Sequence, residues 1–501
     1  MVQEASAKWI PAKSSGVDER SISGERGESQ LAAVRNLVLR EGYLRKGPGY
    51  AALSATVLTG GVKSFYEFRK DDDTRYILAM TPTKFYRWNV GDSTWVDITG
   101  VAITATVEDF LSGASFEDTA ILTNYADLPR KWTGSGDTSA LGGSPPRARH
   151  VATLADYACF YHCFVDAALR PKRVMWSVRG DAEDWTGTGS GSAELTQAWG
   201  PIRNATPLGD WVMIYCTDSI IRQEWVGGDT PFLFTRYVGG KGCASWQGVA
   251  VLPDGSHAFI GRDNVYRFYG SPGIEPLGDA IRHTFFAAVN ETTLSRSRLV
   301  YRKDLHQLEL HYPAGSGAQP DACFVLDLLD NTWNQRTVGF PAVAQVYEPS
   351  GVTWNELVGT WNAQTWLWDE SLHGGIPALI YGDTSGLTWQ SRATDKVFGA
   401  GAIDTYFETE DYRQADSALR LLGLYLHGYG DPVTVEHSKN GGSTWTSDGT
   451  ITFTSVPSVQ KVWFNDWCEQ VRFRVRNQTA SQQFYVDRWA PVVLLQPYRA
   501  V

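Results

Sequence analysis

The sequence predicts an all-β protein whose body is a β-propeller. Three observations carry this. Aromatic residues make up 13% of the chain, with 20 Trp, 49 Gly and only 4 Met, a mixture that favours strands and tight turns over helix bundles. Between about residues 60 and 400, short alternating strands follow one another across Gly, Asp and Asn turns. The strand pairs carry a recurrent aromatic, marked by Trp95, Trp132, Trp185, Tyr266, Trp333 and Trp389, spaced at roughly forty to seventy residues, which suits four-stranded blades better than ankyrin, TPR or leucine-rich repeats. At roughly 45 residues per blade the stretch accommodates about seven blades.

The elements fall in the following order. Residues 1–35 hold few large apolar groups and read as an N-terminal arm. VRNLVLREG alternates apolar and polar residues up to Gly42, and a second short segment ends at Gly47-Pro48-Gly49; this is a hairpin rich in Arg and Lys. SFYEFRKDDDTRYILAM is two strands around an acidic tip at Asp71–Asp73, and KFYRWNVGDSTWVDIT is a second pair turning at Gly91-Asp92. Similar pairs recur in AILTNYADLPRKWTGSG, MWSVRGDAEDWTG, HAFIGRDNVYRFYG, ACFVLDLLDNTWNQRTV and ALIYGDTSGLTWQ. Helical periodicity is confined to DAIRHTFFAAVN (279–290), enough for one or two turns. We therefore assign 36–401 to the propeller body. From 402 to 501 the strands lengthen and their turns become regular, which predicts a separate β-sandwich. In its VRFRVRN segment, Arg472, Arg474 and Arg476 share one face and Val471, Phe473 and Val475 the other, the pattern of a half-exposed strand.

TWNELVGTWNAQTWLWDE (353–370) concentrates Trp354, Trp361, Trp366 and Trp368. Trp366 and Trp368 lie two apart and share a strand face, while Trp354 and Trp361 each follow a Thr. This phasing reads as blade packing and not as a sugar platform.

Charge and composition exclude several function classes. The formal net charge is −10 and no dense Lys/Arg cluster appears, so a phosphate-gripping nucleic-acid binder is not expected. No apolar run is long enough for a membrane helix, and the polar N-terminus lacks the apolar core of a secretory signal. Six scattered cysteines fit neither a zinc nor a redox spacing; they read as buried small side chains made in a reducing compartment.

Motifs for chemistry are sparse. SKNGGSTW (438–445) resembles the Asp-box of sialidases and other propellers through Ser438, Gly442, Thr444 and Trp445, with Asn440 at the Asp position. In that family the motif is a structural hairpin. A sialidase would further need an arginine cluster, a tyrosine nucleophile with an acidic partner and an acid/base Asp, and no local motif marks them. Asp181, Glu183 and Asp184 in RGDAEDW read as a solvated turn, and GGKGCASW (239–246) as a turn without phosphate-loop features. His306 and His311 flank HQLELH at an odd offset, which sends them to opposite faces of a strand and away from a shared metal. No catalytic, cofactor-binding or metal-ligating residue is assigned, no cofactor is expected, and the chain is not expected to be an enzyme.

Two stretches carry a family resemblance. NLVLREGYLRKGPGYAAL (36–53) resembles the N-terminal hairpin of virion proteins from short-tailed bacteriophages, with Gly47 where an Arg precedes Pro-Gly-Tyr in the pattern. GCASWQGVAVLPDGSHAFIGRDNVYRFYGSPGIEPLGDAIRHTF (242–285) is similar to the tail hub, or nozzle, proteins of those phages (tail tubular protein B-like), and 353–370 resembles one of their blade segments. The resemblance implies a propeller body, no enzymatic activity and a homo-oligomeric ring, hexameric, at the distal end of the tail. Its implied partners are the tail adaptor or head-to-tail connector ring and tail fibres or tailspikes. Double-stranded DNA would cross the lumen without specific binding, the acidic ring repelling it. The implied location is the virion, after synthesis in the host bacterial cytoplasm. The alternative expectation is a carbohydrate-binding or sialidase-like propeller acting on host surface glycans.

Overall fold

The structure is a computed structural model and describes residues 9–12, 31–289, 291–348, 376–392, 395–413, 417–479 and 483–497. It is nearly all β. Among the described residues, seven consecutive four-stranded antiparallel units span Ser64–Asp97, Ser112–Ala140, Arg147–Glu194, Ile202–Gly239, Val249–Pro276, Arg298–Arg336 and Ala342–Ser391. In the first six, each strand pairs with the next in sequence. The seventh takes its outermost strand from far upstream: Ala51 and Ala52 pair with Gln390 and Trp389.

Apolar residues on both faces of the central strands explain why the units associate. Each sheet buries one face against the unit before it and the other against the unit after it, in a series of separate cores. Phe68, Leu78 and Trp132 pack between units one and two; Phe116, Ile121 and Phe160 between two and three; and so on around to Phe65, Trp88, Trp95, Val346 and Ile380 between units seven and one. That last core makes the arrangement a closed propeller. The Trp95 indole also donates to Thr388 Oγ1 at 3.0 Å across this seam. Of the expected aromatic markers, Trp95, Trp132, Trp185, Tyr266 and Trp333 are buried and Trp389 is half-buried. The expected helical turns form as Arg282–Ala288 between units five and six, with Phe285 buried beneath. The 353–370 segment lies outside the described residues.

The C-terminal domain is a two-sheet sandwich around a core that includes Phe407, Leu424, Phe473, Val475, Phe484 and Trp489. Here the sequence boundaries need correction. Leu31–Arg35, assigned to the arm, is a strand of this domain, paired with Thr405–Thr409. The hairpin Leu37–Arg40/Tyr43–Lys46, assigned to the propeller, joins the other sheet through Phe484–Pro497. Leu31, Val34, Leu37, Leu39 and Leu44 all lie in the sandwich core. Alternation in 31–46 announces strands, but their partners arrive some four hundred residues later, which no local pattern encodes. Glu41 (φ 55°) and Gly42 (φ 81°) form the two-residue turn, matching the left-handed pair that tight hairpins favour.

The domains are welded together. Arg35 bridges in parallel to Gln335 in the outer strand of unit six, so one sheet runs from the propeller into the sandwich. The chain then crosses back through Gly47-Pro48-Gly49. A Cβ on Gly49 would stand 2.0 Å from the Val397 carbonyl oxygen, so this crossing admits only glycine.

Candidate functional site

The predicted site residues disperse. Asn440 takes over the Asp role in the SKNGGSTW turn: its Oδ1 accepts from the Thr444 N–H at 2.9 Å and its Nδ2 donates to Thr444 Oγ1 at 2.9 Å. The motif is therefore a hairpin support, in the sandwich. Arg472, Arg474 and Arg476 are paired with Asp411, Glu408 and Asp404, and Trp445 packs 3.8 Å from the Arg474 guanidinium. In RGDAEDW, Asp184 caps its own turn through the Thr186 and Gly187 N–H groups, whereas Glu183 reaches Lys131 at 2.7 Å. GGKGCASW is a turn in which a Cβ on Gly242 would meet the Cys216 carbonyl oxygen at 2.0 Å.

His306 and His311 do lie apart, but His311 has company that the sequence reading missed. It shares a strand face with Glu309 and opposes Cys323 across the sheet, and one ligand atom of each falls within 4.8 Å of the others. By residue type this is a metal trio. By hydrogen bonding it is a closed ion cluster. Arg336 Nη1 donates to both Glu309 oxygens at 3.0 and 3.1 Å, and the Tyr381 hydroxyl donates to Oε2 at 3.0 Å. His311 Nε2 donates to Oε2 at 3.0 Å while Nδ1 accepts from the Phe340 N–H at 3.2 Å. Burial alone would raise the Glu309 carboxyl, but Arg336, His311 and Arg302 outweigh it and hold it well below the usual range. Burial lowers His311, in keeping with a neutral ring. A cation could enter only by displacing a guanidinium, so the cluster reads as structural. Its position explains it: Arg336 Nη2 also donates to the Pro48 carbonyl at 3.0 Å, and Arg302, fully buried, ties Asp304 to Ser391. The cluster clamps the crossing between domains and the seam between units six and seven.

The cysteines are free and all but Cys468 are buried. Burial pushes Cys159, Cys216 and Cys243 up to about 12 and Cys468 to about 11. Ellman's reagent should therefore react with no thiol except Cys468 in the native protein, and with all six once it is denatured; rapid native reaction of several thiols would contradict this packing.

Two features remain unabsorbed by packing. The first is the mouth of the central channel. The first residues of the inner strands and the segments ahead of them bring together Lys63, Arg149, Arg203, Arg296 and Arg298 with the carboxylates of Glu108 and Asp109. Trp246 sits in the middle, 4.3 Å from both the Arg149 and Arg203 guanidinium carbons, with the His162 ring edge-on at 5.2 Å. Arg296 pairs with Glu108 at 3.1 Å and Arg149 reaches Asp109 at 3.6 Å. Burial pushes Arg298 down to about 9 and lowers Lys63, with Arg298 as the next cause. Burial likewise holds His150 at about 3 and His162 at about 4. These residues come from different units, so no spacing rule could have collected them. Tyr125 lies under Arg149 at 4.2 Å, and among the described residues no carboxylate is hydrogen-bonded to its hydroxyl.

The second is the outer face of the sandwich sheet. Strand Ser458–Cys468 is at the sheet's end and, among the described residues, pairs on one side only. Val459, Trp463 and Trp467 project from it with 49%, 54% and 46% exposure, where lone exposed apolar residues would need no explanation. Here they continue into Tyr425, which contacts Trp463 and Trp9, and onward to the Tyr43, Tyr429 and Tyr485 cluster.

No protein-family model matches the sequence, and no curated protein matches it. Among solved structures, YCF48 from Cyanidioschyzon merolae is similar at 9% identity and a TM-score of 0.40, over 68% of this chain and 98% of its own. The extracellular domain of BT4673 from B. thetaiotaomicron is similar at 8% identity and 0.34, over 62% of this chain and 39% of its own. Neither likeness bears on ligands or partners. Among the described residues no helix is long and apolar enough to cross a membrane.

Proposed function

We propose that this chain is a structural ring protein of a virion, the tail hub or nozzle of a short-tailed bacteriophage, which retains packaged DNA and forms the channel through which it leaves. The observation that carries the reading is the aromatic outer face of the sandwich, ending in an unpaired strand edge. An open edge beside exposed tryptophans is a surface that a monomer would have to protect, and a neighbouring copy in a ring would cover it through a heterologous contact that closes by rotation. The resemblance of 36–53 and 242–285 to nozzle proteins supports the same assignment, and the net charge of −10 suits a conduit whose cargo must slide. A hexamer below the adaptor ring, bearing fibres or tailspikes, is the assembly this reading requires.

Cryo-EM of purified particles tests the assignment, and absence of the chain from the virion would sink it. Replacing both tryptophans, Trp463→Asp with Trp467→Asp, should convert rings to monomers by light scattering while leaving the melting temperature close to wild type, because buried interface aromatics are each worth about 2 kcal/mol or more. Rings that persist in the double variant would place the interface elsewhere.

One observation favours a second reading, a carbohydrate-directed propeller acting on host glycans: Arg149, Arg203 and Arg298 gather at the channel mouth, a group able to take a sugar carboxylate. A glycan array and a hydrolysis screen, both negative, would remove it.

A further inference from the structure

We infer that the central channel is a binding site for a small oxyanion-bearing ligand, held by Arg298, with Arg203 and Arg149, stacked on the neighbouring Trp246, adding positive charge beside it. The inference does not depend on ring assembly.

Arg298 carries it furthest. The residue is nine-tenths buried and lines a channel of about 410 Å³. Its Nη2 donates to the Lys63 carbonyl at 2.8 Å and its Nη1 to Gln247 Oε1. Both acceptors are neutral, and the Nε has no partner. Every other fully buried guanidinium described above has a carboxylate: Arg302 has Asp304 and Arg336 has Glu309. A buried cation without a counter-ion is costly, and a ligand anion would offset that cost.

The neighbours also carry unpartnered donors. Arg149 Nε, Arg203 Nε and the Trp246 indole N–H are likewise buried without a partner. All are donors, and the carboxylates of Glu108 and Asp109 already face Arg296 and Arg149. Unpartnered donors beside excess positive charge call for an acceptor-rich, negatively charged group. Below the mouth the channel presents Ser112, Thr153, Asn204 and Thr206, hydroxyl and amide groups that can orient the remainder of a polar ligand. The channel volume is within the range of small-molecule sites, about 300–1,000 Å³.

Phosphate and carboxylate share this chemistry, and two probes separate them: inorganic phosphate and glucuronate. Each is titrated into the full chain by calorimetry and differential scanning fluorimetry, with chloride at equal ionic strength as the control. At least one probe should bind saturably and raise the melting temperature where chloride does not. Binding of phosphate alone identifies a phosphate-bearing ligand, and of glucuronate alone a carboxylate-bearing one. Arg298→Met should weaken the binding about tenfold or more. Because Arg298 also bridges three units, Arg203→Met provides a second variant: its guanidinium makes no hydrogen bond to the described residues, so the fold should survive while affinity falls by a similar factor. Failure of both probes to bind wild-type protein, or unchanged affinity in folded Arg203→Met, overturns the site.

Discussion

Glu309→Ala lowers the stability of the whole chain by about 3–5 kcal/mol, the usual cost of stripping one partner from a buried ion cluster, read as a shift in a urea or guanidinium unfolding midpoint. Arg302 keeps Asp304, so the damage centres on Arg336, whose guanidinium is left with Tyr381 and the Pro48 carbonyl alone. Glu309→Gln retains an acceptor and should cost less. The cluster also has a pH signature. A carboxyl held below its unfolded value contributes stability that is present above about pH 4.3 and is lost as pH falls toward the folded value. His150 and His162, held neutral at about 3 and about 4, act in the same direction from about pH 6.5 downward. Stability should therefore decline steadily below about pH 6.5, and Glu309→Ala should flatten the most acidic part of that decline. A midpoint unchanged by Glu309→Ala would show that the cluster does not clamp the seam.

Removing residues 1–53 abolishes cooperative folding of both domains. The deletion takes the strands Leu31–Arg35, Leu37–Arg40 and Tyr43–Lys46 from the sandwich and Ala51–Ala52 from the last propeller unit. It exposes Trp489, Phe473 and Phe484 in one core and leaves the strand of Trp389 as an open edge in the other. Far-UV circular dichroism and a thermal melt check this. A truncated chain that melts cooperatively near the wild-type temperature would mean that the propeller closes without its upstream strand.

Much of this fold is written in local alternation. FIGRDNVYRF and TRYILAM announce their strands as short apolar runs beside turn residues, and both faces of these strands are buried, Phe259 and Leu78 among them. What alternation cannot specify is partnership. Nothing in VRNLVLREG distinguishes a propeller strand from a sandwich strand, because the difference lies in Phe484–Pro497, hundreds of residues away. The candidate site was still less legible. Glu309 and His311 could have been paired by their two-residue spacing, but Cys323 and Arg336 reach them only through sheet register. Arg149, Arg203 and Arg298 lie on three different inner strands and Trp246 just ahead of a fourth, and they meet only because the propeller turns those strands toward one axis.

The meeting of distant segments in the sandwich also sets a timetable. Leu31–Arg35 and the hairpin behind it leave the ribosome long before Phe484–Pro497 exists. At about 5–20 residues per second the wait is on the order of tens of seconds. During it the propeller units can form one after another from contiguous strands, but Leu37, Leu39 and Leu44 have no core to enter. Arg40, Glu41, Arg45 and Lys46, interleaved with them, keep that nascent hairpin soluble in the interval. Such long-range closure makes the last step of folding slow compared with the blades that precede it, and places the greatest risk of aggregation at the moment just before the two ends of the chain come together.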